Sequence, residues 1–469
     1  MADHPSPPPS LDPSWAWQPY VPSPESPWDL RKVGHLYRRA AFGTTWDELQ
    51  EGLRAGPGPT IERLLKGGPG LAAFDEQTDS LTGGITRTND AGQLRAWWLY
   101  RMLYTPHPLR EKMTLFWHNH FATSNAKVNR AAAMLGQYRL MSRHALGRFG
   151  PMLQEMSRDP AMMVWLDTSL SKKGMPNENY ARELMELFSL GIGPYTEQDI
   201  REAARAFTGW EVREGQAVFD TKNHDDGAKT VLGQKGAWKG EDVVRICLGQ
   251  PAAPRFVAAK LFRFLVSESV PATPALVEPL AARLRQTDFD VGDLTALVLR
   301  SNLFFAPVVY RTRIRPPVDF VLGMIRGLEG RVGTTALAAV LEELGQNVFY
   351  PPSVKGWDGG TVWLNGQTLL ARQNLALALT STEDIRFGRR TDPAALVKKH
   401  GVADGQVAAF FLKLFLDDEV PGPSRQKLAE YEKNAGRAVP AFWTPEDAAA
   451  QRVRALCRLV LALPEYQLA

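Results

Sequence analysis

Helical periodicity extends through almost the whole chain after Asp29, and this feature most limits the folds open to the protein. In the segment that follows Asp29, residues Leu30, Val33 and Tyr37 recur at the spacing of one helix face. Asp29 is itself a residue type that caps a first helical turn. We therefore predict an all-α fold, with one large multi-helix domain over residues 29–469.

One stretch departs from the helical pattern. Residues 210–219 have the pattern of a strand pair, with a Glu-Gly turn at positions 214–215. We predict a small β-hairpin insertion there, with strands confined mainly to residues 210–235.

Residues 1–28 form a segment of different composition, rich in proline. Proline lacks a backbone N–H and fixes φ, so this stretch should run extended or polyproline-like rather than helical. It also carries Trp15, Trp17 and Trp28, which should anchor it on the helical domain. We predict an N-terminal arm that packs against the body of the protein.

Composition excludes several classes of protein. Hydrophobic residues make up 44% and charged residues 23%, which is typical of a globular chain. The net charge of +4 is too small for a dedicated nucleic-acid binder. Two cysteines, Cys247 and Cys457, exclude a disulfide scaffold. No apolar run is long enough to span a membrane, and no secretion signal is recognisable, so we expect a cytoplasmic protein.

The densest polar cluster lies in residues 176–210. One helix face there is apolar, and the opposite side presents Asn179, Arg182, Glu183 and Glu186. Asparagine is a poor helix former unless it caps the helix or binds something, so one interpretation is that these residues cap the helix or bind a ligand. The alternative is a solvated face with one ordinary ion pair between Arg182 and Glu186.

A second cluster, in residues 109–125, contains His118 and His120. Their spacing is typical of a metal pair on a strand or loop, because a helix would point them roughly 200° apart. The flanking Trp117 and Phe121 suggest a helix end on an aromatic bed. The alternative is that one histidine caps the helix and the other packs in the core.

A third cluster, in residues 219–243, places His224, Asp225, Asp226 and Lys229 on an irregular loop. Such a loop can bring imidazole and carboxylates together for a cation or for acid–base chemistry. The alternative is an Asx turn with surface charges.

Taken together, these segments resemble the bacterial family known as domain of unknown function 1800. The matching pieces cover about residues 30–468, and the longest is PNENYARELMELFSLGIGPYTEQDIREAARAFTGW at 176–210. The others are HLYRRAAFG at 35–43, LFWHNHFATS at 115–124, RDPAMMVWLD at 158–167, NHDDGAKTVLG at 223–233, YPPSVKGWDGGTVWLN at 350–365, LLARQNLA at 369–376 and LALPEYQ at 461–467.

The resemblance implies no activity, since none is established for the family. Many members look exported. Their genes often lie beside genes for another uncharacterised family, which is related to alkaline phosphatase-like sulfatases. A protein partner encoded nearby is therefore implied. This sequence departs from that pattern, since no export signal is recognisable in it, so we expect either that the protein stays in the cytoplasm or that an export signal has been trimmed.

Our leading hypothesis is a hydrolase with a polar site between helices. We predict that His118, His120, Glu183 and His224 converge in one cleft, because isolated polar motifs in apolar stretches would leave buried groups unpaired. The predicted catalytic residues are Glu183, His118 and Asp225. The predicted substrate-binding residues are Asn177, Asn179, Arg182, Lys229 and Trp357.

The predicted site could use a metal. The ligands would be His118, His120, His224 and Asp226, a set that suits zinc, manganese or iron, and a bound water would be the nucleophile. Without a metal, Glu183 and Asp225 would act as an acid–base pair on a saccharide or another small molecule, with tryptophans as stacking platforms.

The competing hypothesis is a non-enzymatic helical scaffold that binds a partner protein or a glycan. In that case the polar motifs form a buried hydrogen-bond network that fixes the packing of the helices. We also predict that residues 350–365 pack as an ordered loop beside the polar cluster, either as a substrate-stacking wall or as a structural plug.

Overall fold

A computed structural model describes residues 11–381, 386–387, 391–434 and 444–469. Helices dominate the described residues, and strands occur in two small antiparallel pairs. The prediction of an all-α fold with a small β insertion is confirmed. None of the described helices combines the length and the apolar character that a membrane span requires.

The first half of the chain contains α1 (Pro13–Ala16), α2 (Leu30–Ala40), α3 (Trp46–Ala55), α4 (Pro57–Lys66), α5 (Leu71–Ser80), α6 (Thr82–Thr88), α7 (Ala91–Tyr104), α8 (Pro108–His120), α9 (Asn125–Val128), α10 (Ala131–Arg143), α11 (Phe149–Met156), α12 (Pro160–Trp165), α13 (Asn179–Glu183) and α14 (Glu197–Ala206). The second half contains α15 (Gly240–Leu248), α16 (Ala252–Leu265), α17 (Pro274–Gln286), α18 (Val291–Leu299), α19 (Pro317–Gly327), α20 (Thr334–Glu343), α21 (Gly366–Thr380), α22 (Pro393–Lys399), α23 (Val407–Leu416), α24 (Gly422–Asn434) and α25 (Pro445–Leu461).

Side-chain caps explain where many of these helices begin. The Asp29 carboxylate accepts the backbone N–H of Lys32 at 3.0 Å, so α2 starts where the sequence predicts. Thr45, Thr196 and Thr444 form capping boxes at the starts of α3, α14 and α25. These caps fix the helix ends that the apolar periodicity leaves open.

Two hydrophobic clusters form the core. One is built mainly from α2, α8, α10, α11 and α14–α18, and the other mainly from α7, α10, α19–α23 and α25. Both α8 and α10 contribute side chains to both clusters. These two helices therefore join the two halves of the core, and α8 carries the paired histidines.

The described part of the N-terminal arm, residues 11–28, packs on the helical body, although less completely than predicted, and residues 1–10 of the predicted arm lie outside the described residues. The indole N–H of Trp17 donates to the Leu276 carbonyl at 3.0 Å, and that of Trp28 donates to the Gly52 carbonyl at 3.0 Å. The side chain of Trp15, in contrast, is 45% exposed and anchors little. The arm also contains the short helix α1, because Pro13 occupies the first helical position, where its missing N–H costs nothing.

The β insertion consists of two hairpins. Strands β1 (Trp210–Arg213) and β2 (Gln216–Phe219) pair through the predicted turn, whose two residues both have positive φ. Strands β3 (Lys229–Val231) and β4 (Gln234–Gly236) add a second hairpin that was not predicted as a separate unit.

Candidate functional site

A cleft of about 530 Å³ opens between α8, α16, the start of α19 and the loop of residues 350–365. Its lining has more basic than acidic side chains, five lysines and arginines against three carboxylates. The basic side chains are Lys112, Lys260, Arg263, Arg313 and Lys355, and the acidic ones are Glu268, Asp319 and Asp358. The two tryptophans in the lining are Trp357 and Trp363.

Lys260 on α16 lines the cleft and is held by two hydrogen bonds. Its ammonium donates to His120 Nδ1 at 3.2 Å and to the Leu187 carbonyl at 3.1 Å. Within the described residues it has no carboxylate partner. Burial and the nearby Arg263 lower the pKa of Lys260 to about 8.

His120 is a neutral imidazole that supports Lys260. Its Nε2 lies 3.0 Å from the Phe188 carbonyl, which can only accept, so Nε2 carries the proton and Nδ1 is free to accept from Lys260. Burial, and then the positive charge of Lys260, hold the pKa of His120 well below its usual range. The ring lies among Phe116, Trp117 and other aromatic side chains.

The two carbonyls that receive these bonds come from the long motif at 176–210. Leu187 and Phe188 lie in a π-helical turn, Leu184–Ser189, at the end of a helical segment. The last carbonyls of a helix lack partners within it and are free to accept from other groups. The motif therefore holds the Lys260–His120 pair through its backbone.

Two ion pairs lie at the floor of the cleft. Lys112 is fully buried and its Nζ lies 2.6 Å from an Asp319 oxygen, and burial lowers its pKa to about 8 against the opposing effect of Asp319. Arg313 is largely buried and pairs with Glu268 at 3.0 Å. Neither exposed cation of the lining, Arg263 or Lys355, forms an ion pair with a described residue.

His118 and Asn119 hold the adjacent loop in place. His118 Nε2 accepts the backbone N–H of Phe349 at 3.0 Å, and Asn119 Oδ1 accepts the backbone N–H of Trp357 at 2.7 Å. Burial lowers the pKa of His118 to about 3, so this ring is neutral. The loop of residues 350–365 therefore packs against His118 and Asn119, and Trp357 lines the cleft.

The helical geometry of α8 separates the two histidines. His118 points to Phe349 and Trp357, whereas His120 points to Phe188 and Lys260. Because both residues lie on a helix, their i, i+2 spacing turns the rings to different sides and does not produce the predicted strand-like metal pair.

Glu183 and its neighbours lie near the cleft rather than in its lining. Glu183 is half-buried, and burial, then Glu186, raises its pKa, while Arg182 and the cleft residue Lys355 oppose that rise. Arg182 pairs with Glu197 at 2.7 Å and with Glu178 at 3.2 Å, and no ion pair joins it to Glu186.

The two asparagines of the same motif serve the start of the helix. Asn177 Oδ1 accepts the backbone N–H of Asn179 at 2.9 Å. This contact is an Asx turn just before the helix, of the kind that asparagine commonly makes with the backbone two residues on.

The loop that carries His224 is organised by internal contacts. His224 Nδ1 bonds the Thr208 carbonyl at 2.9 Å, and Asp225 accepts from Arg205 at 2.8 Å. That arginine lowers the pKa of Asp225 to about 2, so the carboxylate stays charged and paired. Asp226 lies 3.7 Å from Lys173, and Lys229 donates to the Gly227 carbonyl at 3.0 Å.

The structure does not bring the four predicted metal ligands together. Among the described residues, the group whose ligand atoms all lie within 4.8 Å of one another is Asp47, Glu329 and His400 instead. Lys399 already forms ion pairs with both carboxylates of that group. Of the four residues predicted to converge, the cleft lining contains only His120.

Sequence reasoning missed the basic residues of the cleft. Lys260 was overlooked although it interrupts the apolar run FVAAKLFRFLV on α16, and that interruption was the available signal. Lys112 and Arg313 gave no comparable signal, because each stands beside other polar residues.

A comparison with known families places the chain. A family model described as "Protein of unknown function (DUF1800)" matches residues 35–468, nearly the whole chain. No curated protein and no solved structure matches it. The chain therefore belongs to the DUF1800 family of proteins of unknown function.

Proposed function

We propose that this protein is a hydrolase that binds a small anionic substrate in the basic cleft. The observation that carries the proposal is the environment of Lys260, whose polar partners in the described part of the chain are a neutral imidazole and a backbone carbonyl. A cation held in this way has no counter-ion. An anion that enters the cleft would supply one.

The rest of the lining suits the same class of ligand. Arg263 and Lys355 stand at the cleft without ion pairs among the described residues, and Arg313 adds a guanidinium that is shared with Glu268. Guanidinium groups bind phosphate, sulfate and carboxylate groups through paired hydrogen bonds. Trp357 and Trp363 offer apolar area for the organic part of the substrate, and an anionic saccharide is one molecule of this class.

In the mechanism that we propose, the basic residues bind the substrate and Lys260 moves the proton. Arg263, Arg313 and Lys355 hold the anionic group. The Lys260 ammonium draws the anion into the cleft and then releases its proton to solvent. The neutral amine that results takes a proton from the attacking water, and a pKa of about 8 makes both forms accessible near neutral pH. His120 keeps the amine in position through Nδ1. Of the predicted metal ligands, this mechanism uses only His120, and it uses it as a support for Lys260, because the four side chains are not gathered around one point.

A specific observation favours the second candidate, a non-enzymatic scaffold that binds a partner protein or glycan. His118, Asn119 and His224 each bond backbone groups of neighbouring segments, as residues of a structural network do. These three residues support the scaffold, whereas the cleft cations that have no ion-pair partner among the described residues support the enzyme.

Two further sequence predictions stay proposals. One is a cytoplasmic location, and the other is a protein partner encoded nearby. Nucleic acid is not proposed as a partner, because the net charge of +4 is small for a chain of this length.

The proposal is tested by calorimetric titration of the protein with inorganic phosphate and phenyl phosphate. Lys260→Gln should weaken binding by about tenfold to 100-fold, since a hydrogen bond to a charged group contributes about 1.5–3 kcal/mol. The matched control is Lys235→Gln, which removes an exposed lysine outside the cleft and should leave binding unchanged.

The same two variants should be assayed with a panel of aryl phosphates, aryl sulfates and aryl esters that carry a carboxylate. Hydrolysis by the wild-type chain that Lys260→Gln abolishes supports the enzyme. If the wild-type chain and Lys260→Gln both bind the anion with equal affinity, the proposal is contradicted. If neither protein binds the anion, the scaffold is favoured.

A further inference from the structure

We infer that the Lys260 amine is a carbonyl-reactive site, at which aldehydes and ketones that carry a phosphate or carboxylate form an imine and block the cleft. The inference rests on the proposed function in one respect, because the anionic group is what draws the compound into the cleft. It goes beyond that function by assigning a covalent chemistry and a class of inhibitor.

The hydrogen bonds of Lys260 leave room for a lone pair. An ammonium has three N–H groups, and two acceptors, His120 Nδ1 and the Leu187 carbonyl, lie within hydrogen-bond distance. After loss of one proton, the neutral amine can still donate to both acceptors. The lone pair then takes the remaining tetrahedral position, so the partners that hold the amine do not block its reaction.

The other lysines of the cleft lack this arrangement. Burial lowers the pKa of Lys112 to about 8 as well, but its amine is fully buried and paired with Asp319 at 2.6 Å, so a reagent in the cleft does not reach it. Lys355 is exposed, so water solvates its charge. Lys260 is half-buried beside Arg263, and both effects favour its neutral form.

The reaction is balanced without an oxidant or a metal. The Nζ lone pair attacks the carbonyl carbon, and the carbonyl oxygen takes up a proton to give a carbinolamine. Loss of the hydroxyl group as water, with the proton from nitrogen, leaves a carbon–nitrogen double bond. Borohydride then delivers a hydride to carbon and solvent supplies a proton to nitrogen, which makes the link permanent.

The experiment uses pyridoxal 5′-phosphate, an aldehyde that carries a phosphate, on the full chain, followed by borohydride and peptide mass spectrometry. Lys260 should be labelled at least about tenfold faster than exposed lysines at pH 7.5, because a pKa of about 8 leaves far more of its amine neutral than a pKa of 10.5 would. The rate should rise with pH and level off above about pH 8. Inorganic phosphate should protect, Lys260→Gln should abolish the fast label, and Lys235→Gln should not.

A second aldehyde without a charge, benzaldehyde, separates the reactivity of the Lys260 amine from the anion-binding function of the cleft. Labelling spread evenly over exposed lysines with both aldehydes overturns the inference, even if phosphate binding still depends on Lys260. Fast labelling of Lys260 by both aldehydes at equal rates, without protection by phosphate, keeps the reactive amine but overturns the anion-binding function. Fast labelling by the phosphorylated aldehyde alone supports both.

Discussion

Replacement of Asp319 by Ala is expected to lower the free energy of unfolding by about 3–5 kcal/mol, because it leaves the buried Lys112 ammonium without its counter-ion. Lys112 is fully buried, and its Nζ lies 2.6 Å from the Asp319 oxygen. Both residues line the cleft. The loss of stability should appear as a lower midpoint in urea or thermal unfolding.

A matched variant and a double variant sharpen this prediction. Asp358→Ala removes an exposed carboxylate from the same cleft and should change stability by about 0.5 kcal/mol or less. The double variant Lys112→Met/Asp319→Leu removes both charges and should recover most of the lost stability. Equal stability of Asp319→Ala and Asp358→Ala would show that the Lys112 ion pair contributes little.

Gly356→Ala is expected to destabilise the protein by about 3 kcal/mol and to displace the loop of residues 350–365. Gly356 has a φ of 81°, a conformation that L-residues rarely adopt. A Cβ at this position would collide with the side-chain oxygen of Asn119. It would also lie 2.5 Å from the backbone carbonyl oxygen of Asn119. The added methyl group would therefore disrupt the contact by which Asn119 holds Trp357.

Urea unfolding measures the loss, and hydrogen exchange of the loop amides measures the displacement. The control is Gly366→Ala at the first position of α21, where a Cβ would meet nothing within 4 Å. That variant should be as stable as the wild-type chain. A Gly356→Ala protein with unchanged stability and unchanged exchange at Trp357 would refute the role given to Asn119.

Much of the fold was predictable because local rules decide it. The apolar periodicity predicts the helices, and residues such as Asp29 set where they begin through side-chain caps. The β1–β2 hairpin was predictable because the glycine of its turn adopts positive φ readily, and Glu214 before it also adopts positive φ in the structure. The short helix α1 was missed because the effect of proline depends on its place in a helix, and at the first position its missing N–H has no helical partner to lose.

The site was harder to predict because it depends on contacts between distant segments. The sequence indicates His118 and His120 as polar residues in an aromatic stretch, but their division between two environments follows from the rotation of α8. His118 and Asn119 then serve the loop, and His120 serves Lys260. Only packing brings Lys260 next to His120, 140 residues away in sequence.

The loop that carries His224 and Asp225 was assigned to the site from its sequence, but its residues make local contacts instead. A cluster of imidazole and carboxylates in sequence can indicate chemistry or a turn that satisfies itself, and residue types alone do not separate these cases. In the structure, Asp225 pairs with Arg205 and His224 bonds the Thr208 carbonyl. The structural contacts therefore favour the Asx-turn interpretation for this loop.

The most direct test of the central claim, that the basic cleft is an anion-binding functional site, is a crystal structure of the protein soaked with tungstate, a heavy analogue of phosphate. We expect an anomalous peak in the cleft within hydrogen-bond distance of Lys260 and Arg313, and we expect phosphate to displace it. Tungstate bound only at surface arginines such as Arg130 and Arg158, with none in the cleft at saturating concentration, would contradict the claim.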